Sequence, residues 1–465
     1  MISFGDTFDK VQECFTESDI ESGLKPNLAS ITIIRDIYGK IRLFLEPKEN
    51  IRLEPTEIDK LKQHLRQKLG SYYGEDIWLP QGEKDGYKAL IDTIKNERIA
   101  AEWDDNDDDI SPHWYVLERH IAKQTWTNQN SGNPPWKIQL VDQGRKPAIV
   151  TFFSFKGGVG RSTALVATAL TLARNGHRVA IVDLDLEAPG LSTVFFQDNS
   201  VNYGVIDYLL EKKIQNRDWT LRNDILQIND PLLIGNSGEQ LYLLPAGNVD
   251  ANYLEKLARL DFQNLVDHDI PETFKGMLRE LESAVKPLDF ILLDSRAGFH
   301  DIGGLALTDL SHAAVIFGRE SRQSWAGLTH VIRRLSRPLA SEEEQLPVLL
   351  VHAMAPAGLG SGRRNEELKA FKDKAYLAFQ NNYYYEGEDV PNPDDINAPF
   401  TPIILPLQDD LQRDITLFPS DESEEESDRL RQLVDLMTNE DYQKIAERLC
   451  LRFNKNFNKF NKTQV

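Results

Sequence analysis

From Ala148 onward the chain carries a series of apolar runs, AIVTFFSF, RVAIVDLD, QLYLLPAG, DFILLDSRAG, AAVIFGRE, LPVLLVHAMAP and PIILPLQDD, most of them separated by stretches of helical periodicity. A run that is apolar at every position predicts a strand buried on both faces, and strands alternating with helices predict a mostly parallel sheet flanked by helices. Between the first two runs, residues 161–174 predict a helix that Asn175-Gly176 ends. Residues 1–130 follow another pattern. ITIIRDIYGKIRLFL (31–45) is two β-rich runs around Tyr38-Gly39 and predicts a hairpin. EPTEIDKLKQHLRQKLG predicts a helix with Thr56 as its cap and Gly70 as its stop. Turn formers crowd residues 128–147 (NQNSGNPPWKIQLVDQGRKP), so the junction is placed there. The expected organisation is a smaller α+β domain over 1–130, a linker over 131–147, an α/β domain over 148–452 and a tail over 453–465, without internal repeats.

Composition narrows the classes of function. A chain of 465 residues with 41% hydrophobic and 27% charged residues describes a globular protein. It has no apolar run of about 18 residues and no basic-then-apolar leader after Met1, so a cytoplasmic location is expected. Cys14 and Cys450 are too few for a disulfide framework and read as core thiols. A net charge of -20 argues against nucleic acid as partner, because a duplex binder gains much of its affinity by neutralising phosphates. The basic run VIRRLSRPL, with Arg333, Arg334 and Arg337, reads as one side of a helix. EWDDNDDDISP lacks the glycine and the terminal glutamate of a calcium loop and reads as an exposed acidic loop, as does DESEEESD at 421–428.

The chemistry concentrates in FFSFKGGVGRST, between the first strand and the first helix of the α/β domain. A glycine-rich loop at that place lets backbone N–H groups surround a phosphate, and the helix N-terminus adds positive potential. Gly157, Gly158 and Gly160 provide that freedom around Val159. Arg161 is expected against the β and γ phosphates, the Ser162 hydroxyl on magnesium and Thr163 at the α phosphate. The strict Walker pattern has glycine and lysine where this chain has Phe155 and Arg161. Asp183 and Asp185, two apart at the carboxyl end of a strand, project to one side, and Asp294 ends another strand.

KGGVGRST, VDLDLEAPGL and DSRAG resemble, in that order, the deviant Walker A ATPases of the ParA/MinD family, within the SIMIBI class of P-loop NTPases. With arginine at 161 they are similar to its "KGGVGR" subgroup, often part of bacterial conflict or defence proteins. The resemblance covers about 148–410 and implies a P-loop NTPase domain that binds ATP and Mg2+. It implies that Lys156 reaches across a homodimer to the partner's nucleotide. Asp183 would help order the magnesium shell, Asp185 would position the attacking water, and Asp294 would hold magnesium through water. Gly298, in the SRAG loop, would move toward the γ phosphate, with Arg296 as a catalytic finger or a surface pair. Pro406 and Asp409 resemble the loop lining the base, and His352 stands where an asparagine often contacts adenine. The function so implied is a slow, dimer-dependent ATPase switch in a bacterial defence or stress assembly. The resemblance does not reach residues 1–130, which are expected to form a separate module recognising an unidentified protein partner.

Two alternatives remain at this stage, a non-catalytic nucleotide-binding scaffold and a tyrosine-kinase-like enzyme. The second rests on NNYYYEGED, whose Tyr383, Tyr384 and Tyr385 are similar to the cluster of bacterial tyrosine kinases but also read as packing tyrosines. In the tail, RFNKNFNKFNK sets Phe453, Phe457 and Phe460 on one helical face, which reads either as a weak membrane contact or as a docked, frayed end.

Overall fold

The computed structural model describes residues 2–80, 87–104, 112–120, 122–127, 132–197, 200–215, 219–221, 224–235, 241–260, 269–285, 287–336, 345–357, 362–385, 387–412, 415–419 and 423–460. The acidic stretch 105–110, the start of the turn-rich junction at 128–131, Arg337, residues 421–422 and the tail beyond 460 lie outside them. Two compact units divide the chain, residues 1–121 and residues 122–465.

The N-terminal unit is α+β. Strands β1 (Leu28–Arg35) and β2 (Ile41–Pro47) form the expected hairpin, and Gly39 takes a φ of +78° in its turn. With β3 (Tyr73–Trp78), β4 (Ile99–Ala100) and β5 (His113–Glu118) they make a mixed sheet ordered β3-β2-β1-β5-β4. Its helices are α1 (Thr7–Cys14), α2 (Pro55–Leu69) and α3 (Tyr87–Glu97). Helix α2 stops at Gly70 as expected, but its cap is Glu54 and not Thr56. Proline at the first helical position lacks the N–H that would be unpaired there and fixes φ for the first turn, which moves the start one residue ahead of threonine.

The second unit is α/β. After α4 (Gln124–Thr127) and α5 (Ile138–Asp142) comes β6 (Ala148–Ser154), then α6 (Arg161–Arg174), β7 (Val179–Asp183), α7 (Leu191–Phe195) and α8 (Val205–Ile214). There follow β8 (Leu226–Ile228), α9 (Pro231–Ile234), β9 (Leu241–Leu244), α10 (Tyr253–Leu257), α11 (Asp269–Ala284), β10 (Phe290–Asp294) and α12 (Asp301–Leu305). The chain continues through β11 (Ala313–Gly318), α13 (Arg322–Leu335), β12 (Val348–Ala355), α14 (Gly362–Asn382), β13 (Ile403–Pro406), α15 (Glu424–Met437) and α16 (Glu440–Arg452). The sheet order is β13-β12-β11-β6-β10-β7-β9-β8, parallel except for β8. Every residue of β6, β7, β9, β10 and β11 is buried, as continuous apolar runs require. Successive side chains alternate between two cores: Phe152 and Val315 on the α6 side, Phe153 and Ile316 on the side of α13 and α14. Helix α6 is apolar almost all round because it lies between the sheet and α15 and α16.

Two stretches at the expected boundaries pack against the second unit. Residues 132–147 do not behave as a linker: Trp136 is buried in the core of the second unit, and its indole N–H donates to the Pro147 carbonyl at 2.8 Å. A large aromatic side chain gains more by burial than the surrounding turn formers gain by solvation. The tail, for its part, is docked. Phe453 is fully buried, Phe457 packs against the core, and the Lys459 N–H donates to the Asn175 carbonyl at 3.1 Å. Only Phe460 stays well exposed, at 47%, so the apolar face is turned mainly onto the protein instead of toward a membrane. No helix among the described residues is long and apolar enough to cross a bilayer.

Candidate nucleotide site

Strand order builds the site. In the sequence β6, β7 and β10 are far apart, but in the sheet β10 lies between the other two, and Asp294 is in register with Asp183 on one side and Phe152 on the other. The carboxyl ends of three neighbouring strands therefore bring together the glycine loop, Asp183 with Asp185, and Asp294. Open parallel sheets bind ligands at this edge.

The loop turns on Gly158 and Gly160, with φ of +68° and +77°, a region that side-chain-bearing residues rarely enter. Gly160 is the N-cap of α6. A Cβ at Gly157, Gly158 or Gly160 would meet nothing within 4 Å, so the glycines leave a clear surface beside the N–H groups of the first helical turn. Val159 is buried beneath, while Ser162 and Thr163 are partly exposed at the helix start.

Arg161 does not project over this loop as expected for a residue lying against the β and γ phosphates. It is only 8% exposed; Nε donates to Asp294 Oδ1 at 2.7 Å and Nη2 to Asp185 Oδ2 at 3.2 Å. The physical reason is charge: two carboxylates at the ends of buried strands attract the longer, planar guanidinium, which can bond both. Burial works against the arginine's charge, yet Asp294 and Asp185 outweigh it and hold the guanidinium above its ordinary value. Burial pushes the Asp294 carboxyl up, opposed by the Arg161 charge and by a hydrogen bond from Ser162.

Asp183 is engaged within its own loop. Its carboxylate accepts the N–H groups of Asp185, Gly190 and Leu191 at 3.1, 3.2 and 3.2 Å, and so caps the loop after β7 beside Asp294. Three N–H groups of a tightly turned loop converge on it, and that of the buried Leu191 would otherwise lack a partner. Burial pushes this carboxyl up, the Asp294 charge adds to the shift, and the three N–H bonds oppose it.

Ser162, Asp294 and Asp185 form an all-oxygen set, and Asp185 Oδ1 is buried without a hydrogen-bond partner. One guanidinium against the carboxylates of Asp185 and Asp294, with Asp183 alongside, leaves negative charge uncompensated. This donor set fits magnesium, which takes one or two carboxylates and leaves its remaining positions to water and phosphate. It does not resemble a cage made by protein alone, and among the described residues no group of three or more His, Cys, Asp or Glu side chains is arranged to hold a metal.

Lys156 is partly exposed, its ammonium 5.5 Å from the Phe155 ring centre. Gly298 has a φ of +81°, and its N–H donates to the Ser154 carbonyl at 3.1 Å, tying the loop after β10 to the start of the glycine loop. Arg296 is a pair within the chain: it bonds Glu187, which also takes His300 Nε2 at 2.7 Å. Sequence reasoning missed Glu187, whose only signal was its place two residues after Asp185. Pro406 and Asp409 lie at the far edge, on β13 and the turn after it, with β12 and β11 between them and β6. His352 is buried and stacked on Phe371 at 4.0 Å, so it packs within the core of α13 and α14.

The other candidates are absorbed by packing. Tyr383 is buried with its hydroxyl donating to the Leu346 carbonyl at 2.8 Å, and Tyr385 donates to the Ser336 carbonyl at 2.7 Å. Arg334 is buried and donates to the Thr125 carbonyl at 2.6 Å, which removes it from any exposed basic stripe. Both cysteines are free and buried, and burial pushes each thiol up to about 12.

Residues 146–210 match the family model described as ParA, NUBPL iron-transfer P-loop NTPase. The septum site-determining protein MinD of Thermotoga maritima is 25% identical over 150 residues, 32% of this chain and 44% of that protein. The MinD of Helicobacter pylori is 38% identical over 151 residues, again 32% of this chain and 45% of that protein. The chain thus spans less than half the length of these curated relatives. Among solved structures, MinD complexed with Mg-ADP from Pyrococcus horikoshii is 24% identical, with 44% of this chain and 70% of that one covered and a TM-score of 0.33.

Proposed function

We propose that this chain, whose glycine-loop region is of the ParA/MinD P-loop type, is an ATP-binding switch that hydrolyses ATP slowly and dimerises around it. The observation that carries this reading is the convergence of the left-handed Gly158 and Gly160, the start of α6, and Ser162, Asp185 and Asp294 at one end of three adjacent strands. The N–H groups at the start of α6 and around Gly157 to Gly160 would cradle the phosphates. Ser162, Asp294 and Asp185 would hold magnesium, which when bound would neutralise phosphate charge. Asp185 has an unpartnered oxygen with which to orient water, and Arg161 would share its charge between the carboxylates and the phosphates. Lys156, partly exposed on the loop, suits a reach toward a second copy. The resemblance to the "KGGVGR" subgroup supports a setting in a bacterial defence or stress assembly, with residues 1–121 as the part that meets a protein partner.

The test pairs binding with association. The wild type is expected to bind ATP with magnesium by calorimetry and to sediment as a dimer with ATP. Lys156→Ala should keep ATP binding while dimer formation and hydrolysis fail. A wild type that binds no nucleotide refutes the reading, and a Lys156→Ala protein that dimerises normally with ATP refutes the shared site, leaving the solitary scaffold.

A further inference from the structure

The first described residues of the second unit, 122–127, belong to no part of the sheet, yet they are fastened to the loop that follows Asp294. Asp301, buried at the start of α12, receives both donors of one residue: the Lys123 N–H on Oδ1 at 2.8 Å and the Lys123 ammonium on Oδ2 at 2.9 Å. Lys123 takes a φ of +63° there, a conformation a lysine adopts at a cost of order 1 kcal/mol. The Trp126 indole donates to the His300 carbonyl at 2.8 Å, and its ring lies 5.4 Å from Phe153 and 5.1 Å from Phe299. The Thr125 hydroxyl bonds the Asp301 carbonyl at 3.4 Å. Gly304 is matched to this docking, since a Cβ there would lie 2.1 Å from Thr125 Oγ1 and 2.8 Å from Trp126 Nε1.

The loop they grip reaches the nucleotide site by two short paths. Phe299 packs on Phe155 at 5.0 Å beside the Gly298 to Ser154 hydrogen bond. His300 and Arg296 both bond Glu187, two residues from Asp185. The strap lies outside the stretch that resembles the P-loop ATPases and is the covalent continuation of residues 1–121.

We propose that residues 122–127 are a strap that positions the 295–304 loop for the reaction, with Trp126 as the principal positioning residue. The inference rests on reading the site as a nucleotide site. Because the strap holds Gly298 and Phe299 at a fixed distance from the glycine loop, any movement of that loop with the state of the nucleotide also loads the segment leading to residues 1–121. Trp126 touches no reacting atom; it acts through Phe299 and His300.

Hydrogen exchange on the full chain tests this without depending on turnover. In Trp126→Ala without nucleotide, amides of residues 296–304 are expected to exchange at least about tenfold faster, while β6 and the middle of α6 keep their protection. ATP affinity should stay within about threefold, and turnover should fall about tenfold, as expected when a remote change misplaces reacting groups. Trp126→Phe, which keeps an aromatic ring toward Phe153 and Phe299 but loses the indole N–H to His300, should recover part of both effects. Lys123→Ala alters an exposed side chain, so it carries the test if Trp126→Ala does not fold, with the same local increase in exchange. Unchanged exchange at 296–304 in both alanine variants overturns the strap, and an increase spread evenly through β6 and α6 overturns it in favour of a merely structural role. Failure of the wild type to bind ATP would refute the nucleotide reading separately.

Discussion

Arg161 stands at the centre of the site's charge balance, and its surroundings decide how a substitution there must be read. Two carboxylates, Asp294 and Asp185, depend on one buried guanidinium. Removing one member of a buried charged network leaves the others uncompensated, at a cost of about 3 kcal/mol. Arg161→Ala is therefore expected to lower the urea midpoint and to weaken ATP binding together. Arg161→Lys keeps the charge, but a single ammonium lacks the fork that reaches both carboxylates, so an intermediate midpoint is expected with ATP binding retained. Urea unfolding and ATP titration of the same preparations check this. An alanine variant of unchanged midpoint and ATP affinity would show that neither the carboxylates nor the phosphates need the arginine.

At the scale of elements, α13 illustrates how a helix far along the chain shapes the glycine loop. Glycine inside a helix usually costs up to about 1 kcal/mol relative to alanine, so Gly327→Ala on helix propensity alone would stabilise. Here the sign reverses. A Cβ at Gly327 would lie 2.1 Å from Phe155 Cδ1, and the Phe155 ring is backed by Phe299 at 5.0 Å. Overpacking of this kind costs about 1 to 3 kcal/mol, more than the propensity gain. Gly327→Ala should lower the urea midpoint and weaken ATP binding, since Phe155 begins the loop; Gly362→Ala, at the start of α14 with nothing within 4 Å, serves as control.

At the scale of the whole molecule, buried histidines set a pH dependence. His312 accepts the Ile149 N–H on Nδ1 at 3.1 Å, which leaves Nε2–H to donate to the Trp136 carbonyl at 2.8 Å, so the fold uses the neutral ring. Burial pushes this histidine down to about 4, the Trp136 hydrogen bond opposes the shift and the Arg452 charge adds to it. His352 is lowered to about 4 chiefly by burial as well. Between pH 4 and 6.5 the unfolded chain binds more protons at these positions than the folded one. Their contribution is therefore complete above about 6.5 and is lost as pH falls toward 4, by about 3 kcal/mol for each ring. The gap in urea midpoint between wild type and His312→Asn is expected to narrow from pH 7 to pH 5; a gap independent of pH would show that His312 titrates alike in both states.

Local rules made most of the second unit legible. The apolar runs became β6, β7 and β9 to β13, and residues 161–174 became α6, because full burial and helical period leave their marks on consecutive residues. The two-residue spacing of Asp183 and Asp185 and the glycine loop likewise marked the site's place at the strand ends. What each side chain does there was not legible, since it depends on partners far apart in sequence. Asp183 became a cap only because the N–H groups of Gly190 and Leu191 return to it, and Arg161 turned inward only because β10 places Asp294 beside it. Trp136 was read as linker, Phe453 as tail and the strap at 122–127 as part of the N-terminal domain, because their burial is supplied by distant segments. Composition and period fix which residues must leave water; which neighbours receive them, and so which charges and hydrogen bonds remain for chemistry, is decided where the strands lie side by side.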